Sequence, residues 1–229
     1  PGFEHAFVLP MLAAAGDQWP YQQIRDKAEA AMRERRGLDL TGELGRRIVR
    51  EVVDLLPLSR SDRRSRMDFR HVVRTLPMPL RVITAVEAKR IDEEYAKQEA
   101  TPSAMQHQWL ARLALLKERY KRQQGEQITA PVELHVLRLD DVAIATNPFE
   151  LYVDYAVQME ARSPALLTLT SQLTAERGTG LAYLPTERAI PHRGYSADIV
   201  YNNCLVGPEG GRLLVQETVR DLDQLWGKP

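Results

Sequence analysis

A carboxylate and two phenols stand in separate polar segments of the second half of this sequence. Glu150 lies within the stretch Asn147–Tyr155, Tyr183 lies within Leu181–Ala189, and Tyr195 follows shortly after. Carboxylate and phenol oxygens make hydrogen bonds, and both groups exchange protons. If the elements that carry them converge, these three side chains form one polar site.

The local pattern predicts how this part of the chain is organised. Strands are expected at Val132–Leu139 and Val142–Thr146, joined by a tight turn at Asp140–Asp141. A helix is expected from Glu150 to Ala161, followed by a strand at Leu166–Leu173. Glu150 would then sit in the first turn of a helix, where free backbone N–H groups favour a negative charge. A purely structural role for Glu150 therefore remains an alternative.

The rest of the chain reads as helices alternating with strands. Helices are expected at Tyr21–Arg36, from Thr41 through Leu56, at Thr84–Gln98, at Pro102–Gln123 and at Arg212–Trp226, a strand at Phe69–Pro77, and loops at Ser59–Arg66 and Gly207–Gly211. This alternation predicts a single α/β domain over residues 1–229, with a mixed β-sheet packed against helices.

Composition narrows the choice of partners. Thirty-one basic residues balance thirty-one acidic ones, which argues against nucleic acid as a partner. The single cysteine, Cys204, excludes an internal disulfide and a thiolate zinc cluster. No apolar run is long enough to span a membrane. The first residues lack both Met and a signal-peptide pattern, so we expect the chain to begin within a longer protein, and the oligomeric state and compartment stay open.

Together with Ala15–Pro20, these polar segments resemble the later part of the catalytic domain of the neutral/alkaline, non-lysosomal ceramidases, especially the bacterial members. Pro148–Glu150 matches a Pro-Gly-Glu-like turn of that family, with Phe in place of Gly. Ala182–Thr186 matches its Gly-Tyr-x-x-Thr turn, and Tyr195 follows Tyr183 at the family's spacing.

The resemblance implies a zinc-dependent amidohydrolase. Glu150 and Tyr183 would be metal ligands, beside two histidines expected upstream of this chain, and Tyr195 would hydrogen-bond the reacting carbonyl. The substrate would be an N-acylated sphingolipid or a related amide. The chain would be part of a larger catalytic domain, secreted or periplasmic if a signal peptide precedes it.

Two departures from the family pattern support a different interpretation. Trp19 stands where the family has its catalytic serine, and an indole cannot act as a nucleophile. The five histidines are scattered singly, and we expect none of them, including His192, to be a ligand. The alternative is therefore a catalytically inactive scaffold or binding protein. A weaker possibility is an interaction module built on Pro102–Gln123.

Overall fold

A computed structural model of the chain describes residues 21–37, 39–61, 63–101, 105–174, 182–201 and 204–227. The chain divides into two compact units, residues 1–65 and residues 66–229. The single domain expected over residues 1–229 stays a prediction. In the described ranges, no helix is long and apolar enough to cross a lipid bilayer.

The described part of the first unit contains two helices, α1 (Tyr21–Arg36) and α2 (Leu40–Ser61). As predicted, α1 ends at Gly37, whose φ of +65° suits a residue without a Cβ. Helix α2 runs beyond its predicted end, and the hydroxyls of Ser59 and Ser61 donate to carbonyls one turn back. The loop expected from Ser59 was therefore wrong for its first three residues.

Helix α2 separates one buried carboxylate from a long apolar stripe. The carboxylate of Glu43 is inaccessible to solvent and accepts hydrogen bonds from Arg36, Arg46 and Arg47. The hydrogen bond from Arg47 is the main reason why the pKa of Glu43 is lowered. The apolar residues of the helix are exposed: Leu44, Ile48, Val49, Val52, Val53, Leu55, Leu56 and Leu58.

The second unit is a mixed α/β fold, as predicted. Its elements in chain order are β1 (Phe69–Pro79), α3 (Ala85–Ala100), α4 (Gln106–Arg122), β2 (Thr129–Leu139), β3 (Val142–Thr146), β4 (Glu150–Leu151), α5 (Val153–Arg162), β5 (Leu167–Ser171), β6 (Tyr183–Leu184), a 3₁₀ helix (Glu187–His192) and α6 (Pro208–Leu225).

The main sheet has the strand order β1-β2-β3-β5. Strands β1, β2 and β3 pair antiparallel, and β3 pairs parallel with β5 through the crossover that contains α5. The predicted hairpin turn is confirmed: Asp140 has a φ of +52° and its carboxylate accepts the backbone N–H of Asp68. Strand β1 lies at the edge of the sheet. Pro77 and Pro79 lack a backbone N–H, and an edge strand tolerates this because it has no second neighbour to which that N–H would donate.

One face of this sheet packs against α5 and α6 to form the main core. Its buried apolar residues are Leu76, Met78, Val132, Leu134, Phe149, Tyr155, Met159, Leu184, Val206, Leu214, Val215 and Val219. Each large side chain fully removed from water contributes about 1.5–3 kcal/mol. Val157 of α5 lies outside this core and is 55% exposed.

The two predicted helices α3 and α4 pack against each other as a hairpin and carry a separate core. Thr84 caps α3 with the reciprocal hydrogen bonds of a capping box to Glu87. Ile91 of α3 and Leu113 of α4 are fully buried, and they pack against Ile199 and the residues near it. This hairpin is a packed part of the second unit.

The prediction of a flexible loop at Gly207–Gly211 was wrong, because Pro208 to Gly211 form the first turn of α6. Proline is favoured there, since the first N–H groups of a helix lack intrahelical partners. A Cβ on Gly210 would lie 2.2 Å from Val206, and one on Gly211 would lie 2.2 Å from the ring of Tyr155. These glycines let the helix approach its neighbours closely.

Candidate functional site

Strands β4 and β6 bring Glu150 and Tyr183 side by side. The two short strands are parallel, with Glu150 opposite Tyr183 and Leu151 opposite Leu184. The backbone N–H of Glu150 donates to the carbonyl of Ala182 at 2.9 Å. Two residues that lie far apart along the chain are therefore direct neighbours.

The helix predicted from Glu150 begins three residues later, at Val153. The side-chain oxygen of Asn147 accepts the N–H of Phe149 at 3.1 Å, which gives the chain an alternative to helical hydrogen bonding. Phe149 is 1% exposed in the main core, and the N–H of Leu151 donates to Gln172. Burial and these partners hold Glu150 in an extended segment, so the helix dipole does not explain its position.

The side chains of Glu150 and Tyr183 interact directly. The hydrogen bond from the Tyr183 phenol to the Glu150 carboxylate, followed by burial, raises the pKa of Tyr183 to about 12. Tyr183 is therefore a neutral hydrogen-bond donor at neutral pH. The Tyr183 phenol keeps its proton, and both oxygen groups can bind a hard cation once that proton is lost.

Tyr195 completes the group of three. Its ring lies edge-on to the ring of Tyr183, with centroids 5.9 Å apart. The turn that carries it begins at Arg193, which has a φ of +50°, and closes where Ala197 and Asp198 donate to the carbonyl of Gly194. Tyr195 is 74% exposed, so its phenol remains accessible to a ligand.

The same region contains a second phenol and a hydroxyl that sequence reasoning missed. Tyr152 Oη and Ser196 Oγ lie 2.6 Å apart. Tyr152 follows β4 directly, and Ser196 is the neighbour of Tyr195. Their sequence positions next to two predicted site residues were the available signal. The structure adds them as polar groups beside Tyr183 and Tyr195.

A buried hydrogen bond positions β6. Tyr155 Oη donates to the carbonyl of Pro185 at 2.9 Å, and burial raises the pKa of Tyr155 to about 12. Arg188, just beyond, forms an ion pair with Asp154 at 2.5 Å. Helix α5 thus holds the segment that carries Tyr183 from two sides.

The histidines do not join this group. His71 Nε2 and His135 Nδ1 lie 3.0 Å apart on the opposite, exposed face of the main sheet. His192 and His107 are exposed on helices, and His5 and Trp19 lie outside the described residues. Across the described ranges, no group of three or more His, Cys, Asp or Glu side chains could hold a metal ion.

The donor chemistry fits part of a zinc centre. Zn²⁺ binds carboxylate and deprotonated oxygen ligands as well as imidazole, and a catalytic site takes three protein ligands. Glu150 and Tyr183 supply two oxygens in one place. Further ligands would have to come from residues other than the described ones.

No protein-family model, no curated protein and no solved structure matches the chain.

Proposed function

We propose that this chain supplies the later part of a ceramidase-like, zinc-dependent amidohydrolase site. The substrate is an N-acylated sphingolipid or a related amide. Within this site Glu150 and Tyr183 are zinc ligands, and Tyr195 stabilises the reacting carbonyl. The chain belongs, on this proposal, to a larger catalytic domain that provides the histidine ligands.

One observation carries the proposal: three residues selected from separate sequence segments lie together in space. Glu150 is the cross-strand partner of Tyr183, and the ring of Tyr195 contacts the same tyrosine. Strand β6 is two residues long, so a shift of one residue would place Leu184, which is fully buried, at the position of Tyr183. The observed register therefore puts the phenol of Tyr183, and not the side chain of Leu184, opposite Glu150.

The residues of this chain have distinct roles in the reaction. When bound, zinc supplies Lewis-acid chemistry that favours attack on an amide carbonyl. Glu150 and Tyr183 would hold the metal through their side-chain oxygens, and Tyr183 would release its phenolic proton to solvent on coordination. Tyr195 donates a hydrogen bond to the carbonyl oxygen as negative charge develops there, an interaction whose removal costs about a hundredfold in kcat.

Zinc binding by the full chain tests the ligand assignment without relying on activity. Because the pKa of Tyr183 is about 12, coordination near neutral pH must release its proton. Calorimetric titration with Zn²⁺ in buffers of different ionisation enthalpy counts the protons released. We expect about one proton from the unmodified chain and about one fewer from Tyr183→Phe.

Matched variants separate this site from others. Tyr201→Phe removes an exposed phenol elsewhere, and Glu126→Gln removes an exposed carboxylate that follows α4 in the chain. His135→Ala breaks the His71–His135 pair on the sheet, so that adventitious zinc binding there cannot be mistaken for binding at Glu150 and Tyr183. If Glu150→Gln and Tyr183→Phe, each combined with His135→Ala, bind zinc as tightly as His135→Ala alone, the ligand assignment is wrong.

The inactive-scaffold alternative rests on Trp19 and is tested by Trp19→Ser. Gain of amidase activity toward an N-acyl sphingoid substrate would show a competent site that lacks only its nucleophile. Zinc binding that is lost in Tyr183→Phe, without amidase activity in Trp19→Ser, would indicate a metal-binding protein of another function. Absence of zinc binding at Glu150 and Tyr183 would support the scaffold.

A further inference from the structure

Two histidines meet on the exposed face of the main sheet, although the five histidines are scattered singly along the sequence. His71 of β1 and His135 of β2 are diagonal neighbours, because His71 pairs with Leu137 and His135 pairs with Val73. His71 Nε2 and His135 Nδ1 lie 3.0 Å apart, and the stacked rings have centroids 5.1 Å apart. Strand pairing therefore presents two imidazole nitrogens at one point of the surface.

The strands hold this pair in place. Strands β1 and β2 are paired along their whole length, and β3 pairs with β2 on its other side. The backbone N–H of His135 donates to Thr146 Oγ1 at 3.1 Å. The ring of Phe69 lies beside that of His71, with centroids 6.5 Å apart. Side chains on paired strands are positioned more precisely than side chains on loops.

A carboxylate sets the tautomer of His135. Glu133 Oε1 lies 3.0 Å from His135 Nε2. An ionised carboxylate only accepts hydrogen bonds, so Nε2 is the protonated nitrogen of His135 and its Nδ1 directs a lone pair toward His71. Histidines that bind metals usually donate their other ring N–H in this way, to a carboxylate or a carbonyl. Glu133 therefore prepares His135 Nδ1 as a metal ligand.

The spacing of the two nitrogens suits a tetragonal metal ion. With metal–nitrogen bonds of about 2.0–2.1 Å, nitrogens 3.0 Å apart subtend an angle of about 95° at the metal. This is close to the angle between adjacent corners of a square-planar centre, a geometry typical of Cu²⁺ and Ni²⁺. Of these two ions, Cu²⁺ is bound more tightly by a given set of ligands. Water would occupy the remaining corners.

We propose that His71 and His135 bind Cu²⁺ through Nε2 and Nδ1, and that Glu133 orients His135 for this purpose. Without metal, His71 Nε2 carries the proton that lies between the two nitrogens. When the metal binds, His71 takes the tautomer protonated at Nδ1, so that both facing nitrogens offer lone pairs. This site does not depend on the proposed amidohydrolase function.

Titration of the full chain with Cu²⁺ near neutral pH, followed by electron paramagnetic resonance of frozen samples, tests the site. We expect an axial spectrum with hyperfine coupling to two imidazole nitrogens. Copper held by Glu150 and Tyr183 would have oxygen ligands and lack this coupling, so the spectrum distinguishes the two sites. Competition with a chelator of known affinity measures the strength of binding. An excess of Zn²⁺ of about tenfold should displace less than half of the copper.

Three variants and a control locate the binding. His71→Ala and His135→Ala each leave one imidazole, so each should weaken Cu²⁺ binding by at least about tenfold and remove one nitrogen coupling. Glu133→Gln should weaken binding by about tenfold while both couplings remain, because Glu133 acts through His135. His192→Ala removes an exposed histidine of the 3₁₀ helix and should leave binding unchanged. None of the altered side chains is buried, so folding should be preserved.

Four results would overturn this assignment. The first is equal affinity of the unmodified chain and both variants of the pair, which would indicate adventitious copper only. The second is a spectrum without coupling to two nitrogens. The third is equal weakening by His71→Ala and His192→Ala. The fourth is displacement of most of the copper by the excess of Zn²⁺, which would contradict a tetragonal site.

Discussion

Gly211→Ala should disturb both the core and the candidate site, because the ring of Tyr155 occupies the space of the missing side chain. An added Cβ would lie 2.2 Å from Cζ and 2.3 Å from Oη of Tyr155. These atoms belong to a buried ring whose hydroxyl donates to the carbonyl of Pro185. The ring must move, and the hydrogen bond that positions β6 must lengthen or break.

The size of the effect follows from three contributions. Overpacking a buried ring costs about 1–3 kcal/mol, and loss of the hydrogen bond to Pro185 costs about 1 kcal/mol more. Alanine is the better helix former, which returns about 1 kcal/mol at a helical position. The free energy of unfolding should therefore fall by about 1–3 kcal/mol in Gly211→Ala.

Urea denaturation followed by circular dichroism measures this change. Gly125→Ala is the control in the same unit, because its added Cβ would meet only one backbone oxygen, at 4.0 Å. It should change the free energy of unfolding by less than about 0.5 kcal/mol. If Gly211→Ala is as stable as the control, α6 does not lie against Tyr155 as described, and the proposed support of β6 is wrong.

Three further changes test other contacts. Arg74 donates to the buried Asp221 at 2.8 and 2.9 Å. Arg74→Met leaves this carboxylate without its partner, so it should lower the free energy of unfolding by about 3 kcal/mol in the same denaturation assay. Adding Asp221→Asn should recover part of the loss. Because Glu150 raises the pKa of Tyr183 to about 12, this tyrosine contributes stability below about pH 10 that is lost as the pH approaches 12. In Glu150→Gln, the ultraviolet titration of Tyr183 should move to lower pH. The signal of Tyr183 is obtained by subtracting the titration curve of a protein that also carries Tyr183→Phe. Cys204 is inaccessible and burial raises its pKa, so thiol reagents should modify it only under unfolding conditions, as followed by mass spectrometry.

Local pattern predicted the elements whose signals lie within a few residues. The hairpin between β2 and β3 follows from alternating apolar residues around Asp140–Asp141, and the end of α1 follows from Gly37. Helix α6 began earlier than predicted, because three glycines and a proline suggested a loop. What these glycines provide is close approach to Val206 and Tyr155, which only tertiary packing reveals.

The position of Glu150 shows why the site was harder to predict than the sheet. The segment around it has the composition of a helix, and α5 does begin shortly after it. Asn147 and Phe149 prevent the helix from beginning earlier. Their effect depends on the core that buries Phe149 and on Gln172, which lies more than twenty residues further along the chain. The convergence of Glu150 with Tyr183 was expected only through the family resemblance.

The extended conformation of Glu150 has a consequence for how the site could work. In a helix, the N–H groups of the first turn would have stabilised its charge without help from Tyr183. In β4, the phenol of Tyr183 is the group that hydrogen-bonds the carboxylate, so a cation that binds both oxygens must displace the phenolic proton. Cation binding at this pair should consequently strengthen as the pH rises. In Tyr183→Phe, which lacks this proton, the same dependence should be absent.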